Sequence, residues 1–228
     1  MIEQAPILIT GIPRSGTSMI AAAIKACGAF SGEISKRGRY SNDKIREEMI
    51  KPYLYLMGGD TEGHYPLPNE LSPPIDWKDK IDQIMIDEGY KDGMWMYKDS
   101  RLGLTWKVWN NAYRNAKWII VRRRTADILH SCIETKYMTR FGIEGNRQAV
   151  NAKDEREGWL WMVHQYEKRF VAMIRKGLNC KQIWPERMVQ GDYQQIYEVC
   201  DWLGLSWKEE ALDFINPLLW GGKRKRKG

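Results

Sequence analysis

Apolar and polar positions divide the chain into strands and helices before any motif is considered. Ile7 to Ile9 form an unbroken apolar run between Pro6 and Gly11, which predicts a buried strand. Met19, Ile20, Ala23, Ile24 and Cys27 then recur at helical spacing, and Gly28 can end that helix. The same alternation returns downstream. MWMYK (94–98) predicts a strand, GLTWKVWNNAYRN a helix, KWIIVRR (117–123) a strand, and TADILHSCIETKYM a helix beginning at Thr125. Over 154–177, Trp159, Met162, Val163, Tyr166, Phe170, Met173 and Ile174 share one helical face, with Asp154 and Glu157 as a capping pair. RMVQ (187–190) predicts a last strand and DYQQIYEVCDWLG a helix closed by Gly204. Ser206 and Glu209 predict a capping box for a short final helix. Strands alternating with helices predict an α/β fold, a three-layer, doubly wound parallel sheet.

Two segments interrupt this rhythm. SNDKIREEMIKPYLYLMGG (41–59) starts as a helix, in which Pro52 predicts a kink or break. Residues 60–75 are rich in turn formers and predict a long surface excursion, of the kind that often carries function. DWKDKIDQIMIDEGY resumes as a helix that Asp76 can cap.

Composition narrows the picture. The chain has 228 residues, 43% of them hydrophobic, which predicts one packed domain over 1–220 and a tail over 221–228. No apolar run approaches the roughly eighteen residues of a membrane span. The first residues lack the basic-then-apolar order of a secretory signal. Cys27, Cys132, Cys180 and Cys200, with His64, His130 and His164, show no metal-ligand spacing, so neither a metal site nor a disulfide framework is expected. The thiols read as small core residues in a reducing, cytoplasmic setting. His130 is expected to pack and His164 to face solvent.

Net charge is +7, and five of those charges sit in KRKRK at 223–227. Such a run is a solvated end or a contact for an anionic ligand, membrane surface or nucleic acid. The rest of the chain has no basic stripe interleaved with aromatics, so nucleic acid is not expected as a partner. The eleven tryptophans are read as core, with a few available for ring stacking at a cleft.

The candidate chemistry begins at ILITGIPRSGTSMI (7–20). Gly11 and Gly16 stand with four residues between them, and Ser18 closes the spacing of a phosphate-binding loop. It joins a strand to a helix, so successive main-chain N–H groups and the open helix start can hold an anion. Thr17 stands where triphosphate enzymes carry a lysine that reaches the β- and γ-phosphates. That replacement argues against an ordinary ATPase or kinase. It favours a shorter phosphate chain, with Arg14 supplying a forked cation and Thr17 and Ser18 donating hydroxyls.

PRSGTS (13–18) resembles the 5′-phosphosulfate loop of sulfotransferases that use 3′-phosphoadenosine 5′-phosphosulfate (PAPS). VRRRTADILHS resembles their second signature, in which an arginine and a serine eight residues later hold the 3′-phosphate; the matching residues are Arg123 and Ser131. YKDSRL (97–102) and RMVQGDYQQIYEVCDWLGL (187–205) resemble further parts of the same scaffold. The proline usual after the family's second-signature arginine is replaced by Thr125. IRKGLN (174–179) carries letters of its late R-K-G segment, but at a helix end.

The resemblance implies a P-loop-like sulfotransferase that leaves 3′,5′-bisphosphoadenosine (PAP) and needs no metal. Pro13, Arg14, Ser15, Gly16, Thr17, Ser18, Arg123 and Ser131 would bind the cofactor. Arg14 and Lys98 would stabilise the leaving oxygen, although a lysine at a strand end is also simply a solvated charge. GEIS (32–35) resembles the tyrosylprotein branch's glutamate setting and nominates Glu33 as base, with Asp99 and His64 in reserve. The acceptor is a small molecule, glycan or protein. Two other readings stay open: a lysine-less nucleotide kinase of similar fold, and a non-catalytic anion or nucleic-acid binder working through the tail.

Overall fold

Four parallel strands line up in the order β2-β1-β3-β4: β1 (Ile7–Gly11), β2 (Met96–Lys98), β3 (Lys117–Val121) and β4 (Cys180–Ile183). The computed structural model describes residues 1–35, 40–136 and 139–220, so the basic tail at 221–228 lies outside the described residues. Ile9 of β1 stands opposite Lys98 on one side and Ile119 on the other, while Gly11 stands opposite Val121.

Side chains alternate across the sheet, as strand geometry requires. Leu8, Tyr97, Trp118 and Ile120 enter one core, shared with α4 (Trp77–Asp87), α6 (Trp106–Ala112) and α9 (Glu155–Arg175). Ile7, Ile9, Met96, Ile119, Val121 and Ile183 enter the other, shared with α1 (Thr17–Ala26) and α11 (Gln194–Leu203). Helices on both faces give the three layers expected. The strands β1 and β3 are buried on both faces, which explains why they read as continuous apolar runs.

Several expectations need correction. RMVQ is not a strand: residues 185–189 form α10 (Pro185–Val189), with Pro185 in the first turn, where its missing N–H does no harm. The last strand is instead CKQI, an edge strand in which only Ile183 is fully buried, so its apolar signal is weak. Ser206 and Glu209 form no capping box; a 3₁₀ turn (Glu209–Phe214) starts there with Lys208 at its cap and no side-chain bond. Asp76 precedes α4 but makes no side-chain cap bond, because its carboxylate pairs with Lys80 at 2.6 Å. Ile174 is exposed rather than on the buried face of α9, and His130 is exposed rather than packed.

Pro52 does not break its helix. The short α2 (Asp43–Ile45) passes through a π-helical turn (Arg46–Ile50) into α3 (Lys51–Leu56), with Asn42 capping the start. The wider turn lies just before the proline, where an ordinary helix would drive its ring into the preceding turn. The excursion at 60–75 is not merely superficial either. His64 is buried edge-on against Phe141 and Trp159, and Leu71 also joins the core.

Candidate functional site

The chain leaves β1 for β2 on one side and reaches β3 on the other. The carboxyl end of β1 is therefore the switch point, where open α/β sheets form their ligand crevice. The loop 12–16 lies there. Ser15 N–H donates to the Ile12 carbonyl at 3.0 Å, and Gly16 adopts φ 98° just before α1. Gly11 has no room for a side chain: a Cβ there would stand 2.6 Å from the Val121 carbonyl oxygen. The first N–H groups of α1 have no acceptor within their own helix, and no side chain caps it.

Arg14 is the centre of the arrangement. It is a non-glycine residue at φ 71°, a left-handed conformation that costs about 1–2 kcal/mol. The segment after β3 holds it in two places. Arg123 Nη1 donates to the Arg14 carbonyl at 2.8 Å, and Arg14 Nε donates to Ser131 Oγ at 3.0 Å. Ser131 projects from α7 (Thr125–Glu134) and is buried. From the other side, Lys98 at the end of β2 is buried and donates through Nζ to Ser18 Oγ at 3.2 Å. Arg14, Ser18, Lys98, Arg123 and Ser131 thus converge at the ends of three adjacent strands.

The three consecutive arginines after β3 take different tasks. Arg122 pairs with Glu167 at 2.7 Å, and Arg124 pairs with Asp127 and Glu186 at 2.9 Å each. Arg123 alone turns to the loop. Burial, with the Arg14 charge acting the same way and Asp127 opposing, pulls Arg123 below the ordinary arginine value. Two guanidinium groups held this close favour an anion between them.

The residues fit a phosphorylated nucleotide on two observations. Ser15 Oγ and Arg123 Nε are both buried without a hydrogen-bond partner among the described residues. Such groups cost about 1–3 kcal/mol each, which an anion's oxygens would relieve. Pro13 and Thr17 are buried within the loop and shape it.

Other expected residues have partners outside this group. Glu33 is exposed, and its N–H donates to Glu88 Oε2 at 2.8 Å. No hydrogen bond or ion pair among the described residues joins it to Arg14, Lys98 or Ser18. Asp99 is buried and held by Arg101 Nη1 at 2.9–3.0 Å, and Arg101 also binds Glu62. His64 is buried, and its Nδ1 bonds Asp60 at 3.1 Å. The R-K-G letters at 175–177 end α9 just before β4 begins, at the edge of the sheet opposite the loop.

Two participants left little trace in the sequence. Thr10 Oγ1 accepts from Gly103 N–H and donates to the Ser100 carbonyl, tying β1 to the turn after Lys98. Trp220, in the short α12 (Pro217–Trp220), lies over Arg123 with its ring 4.3 Å away. A lone tryptophan before a basic run gives no local sign of that contact.

The architecture is a sulfotransferase-like fold. The chain is similar to the sulfotransferase domain from the curacin biosynthetic pathway (TM-score 0.64, 13% identity, 95% of this chain and 79% of that one). It is also similar to the sulfotransferase domain of the Synechococcus PCC 7002 olefin synthase (TM-score 0.57, 13% identity, 99% and 90%) and to sulfotransferase STF9 from Mycobacterium avium (TM-score 0.52, 13% identity, 99% and 70%). No protein-family model and no curated protein matches the chain. No helix among the described residues is long and apolar enough to cross a membrane.

Proposed function

We propose that this chain transfers a sulfuryl group from PAPS to a hydroxyl or amine acceptor by in-line displacement. The observation that carries this reading is the double hold on Arg14, through which two phosphate-binding signatures become one site. The loop N–H groups, with Ser15, Thr17 and Ser18, hold the 5′-side phosphate. Arg123 and Ser131 hold the 3′-phosphate. Bound there, the donor supplies the sulfuryl group and a phosphate leaving group. Arg14 and Lys98 place positive charge where negative charge develops on the leaving oxygen. Glu33 is assigned as the base that takes the acceptor's proton. No step requires a metal.

Thermal shift of the full chain tests the donor class. PAP is expected to raise the melting temperature more than ADP does, and more than ATP with magnesium does. Stronger stabilisation by magnesium–ATP would overturn the assignment in favour of a phosphotransferase.

A further inference from the structure

Trp220 touches the site in three ways. Its ring centroid lies 4.3 Å from the Arg123 guanidinium carbon, and its carbonyl accepts from Arg123 Nη2 at 3.2 Å. Its ring edge also packs on Gly16, where a Cβ would stand 2.6 Å from Cζ3. Pro185 backs the same point, 3.2 Å from that Cβ position. Arg122 and Arg124 are each fixed by carboxylates. Arg123 is fixed instead by two main-chain carbonyls and an indole face.

An arginine fork binds well only when its plane is set beforehand, because ordering a free side chain on binding subtracts from affinity. The Arg14 carbonyl holds one end of the fork and leaves it free to rotate. The indole face and the Trp220 carbonyl remove that freedom without neutralising the charge.

We propose that Trp220 is a positioning residue that gives the site its selectivity for a nucleotide bearing a second phosphate. It does so by holding Arg123 in plane against the loop. This rests on the donor site proposed above. The phosphate held by the loop N–H groups does not depend on the stack. Loss of the indole therefore lowers affinity for the doubly phosphorylated nucleotide and spares the singly phosphorylated one.

The test is calorimetric binding of PAP and of adenosine 5′-phosphate to the full chain and to three variants. Trp220→Ala is expected to lower the affinity ratio of the two nucleotides about tenfold. Trp220→Phe, which keeps an aromatic face, is expected to retain most of the ratio. Trp220→Leu keeps bulk against Gly16 without the π face; it is expected to behave like Trp220→Ala, and it carries the test if the alanine variant does not fold. An unchanged ratio in the leucine or alanine variant overturns the inference and leaves the donor site standing. Tighter binding of both nucleotides would also overturn it, marking Trp220 as a plug. A wild-type chain without preference for the bisphosphate would remove the donor site itself.

Discussion

Two charged regions meet at the end of β2, and they treat their charges in opposite ways. Around Asp99 the cluster is closed on itself. Arg101 binds Asp99 and Glu62, Lys51 bridges Glu62 at 3.4 Å and Glu47 at 2.9 Å, and Arg46 pairs with Asp43 at 2.7 Å. Burial opposes the charge on Arg101, yet Asp99 and Glu62 outweigh it and hold its pKa above the ordinary arginine value. One residue away, Lys98 turns to a hydroxyl, Arg14 to a hydroxyl, and Arg123 to carbonyls. The first region resembles a keystone, its ions serving the fold. In the second, Arg123 turns its charge to two neutral carbonyl oxygens and an indole face, an arrangement that suits the anion site proposed above.

The sharpest way to break this contrast is to substitute one member of each region. Arg101→Ala leaves the buried Asp99 carboxylate without its cation and leaves Glu62 with Lys51 alone. It is expected to cost about 3–5 kcal/mol in denaturant unfolding, and a loss below about 1 kcal/mol would show that the cluster is not structural. Glu33→Gln is expected to lower turnover about 10²-fold at unchanged PAP affinity; wild-type turnover would move the base elsewhere. Arg14→Ala is expected to weaken PAP binding about 10–100-fold, because a charge-assisted bond is lost, while relaxing the left-handed loop costs little stability. Unaltered affinity would remove Arg14 from the site.

A smaller effect separates the regions by pH. Burial pushes the Asp60 carboxyl up, but hydrogen bonds from His64 and the nearby Arg140 charge outweigh it and bring it down to about 2. Burial likewise lowers His64, so its neutral ring serves as Asp60's partner. Both groups bind protons more readily in the unfolded chain, and both therefore destabilise the fold on acidification. The His64 contribution is present above about pH 6.5 and fades below it. The Asp60 contribution is present above about pH 4 and fades towards about pH 2. Denaturation of His64→Gln should show a flatter profile between about pH 7 and 5. A profile identical to wild type would contradict the His64 part.

The parts of this molecule legible in the sequence are those set by local chemistry. Gly11, Gly16 and the apolar run before them specify a strand, a tight loop and a helix within a dozen residues, and that unit folds as read. The strands β1 and β3 were legible because both of their faces are covered, so each reads as an unbroken apolar run. The edge strand β4 was not, because one buried residue makes no pattern. Candidate site residues stood out where they sat at a strand end, as Lys98 and Arg123 do. Glu62, which binds Arg101, and the ring over Arg123 come from segments 39 and 97 residues away, and nothing local encodes such pairings.

The hold on Arg14 also sets an order of events in synthesis. The loop is made early, and the arginine that steadies its carbonyl follows 109 residues later. At ribosomal rates that interval is about 5–20 s. During it the nascent loop has neither clamp nor second signature. For the donor site proposed above, the grip on a nucleotide would form only after β3 and α7 have emerged and docked, and a messenger stall before that point would leave the loop without the arginine that steadies it.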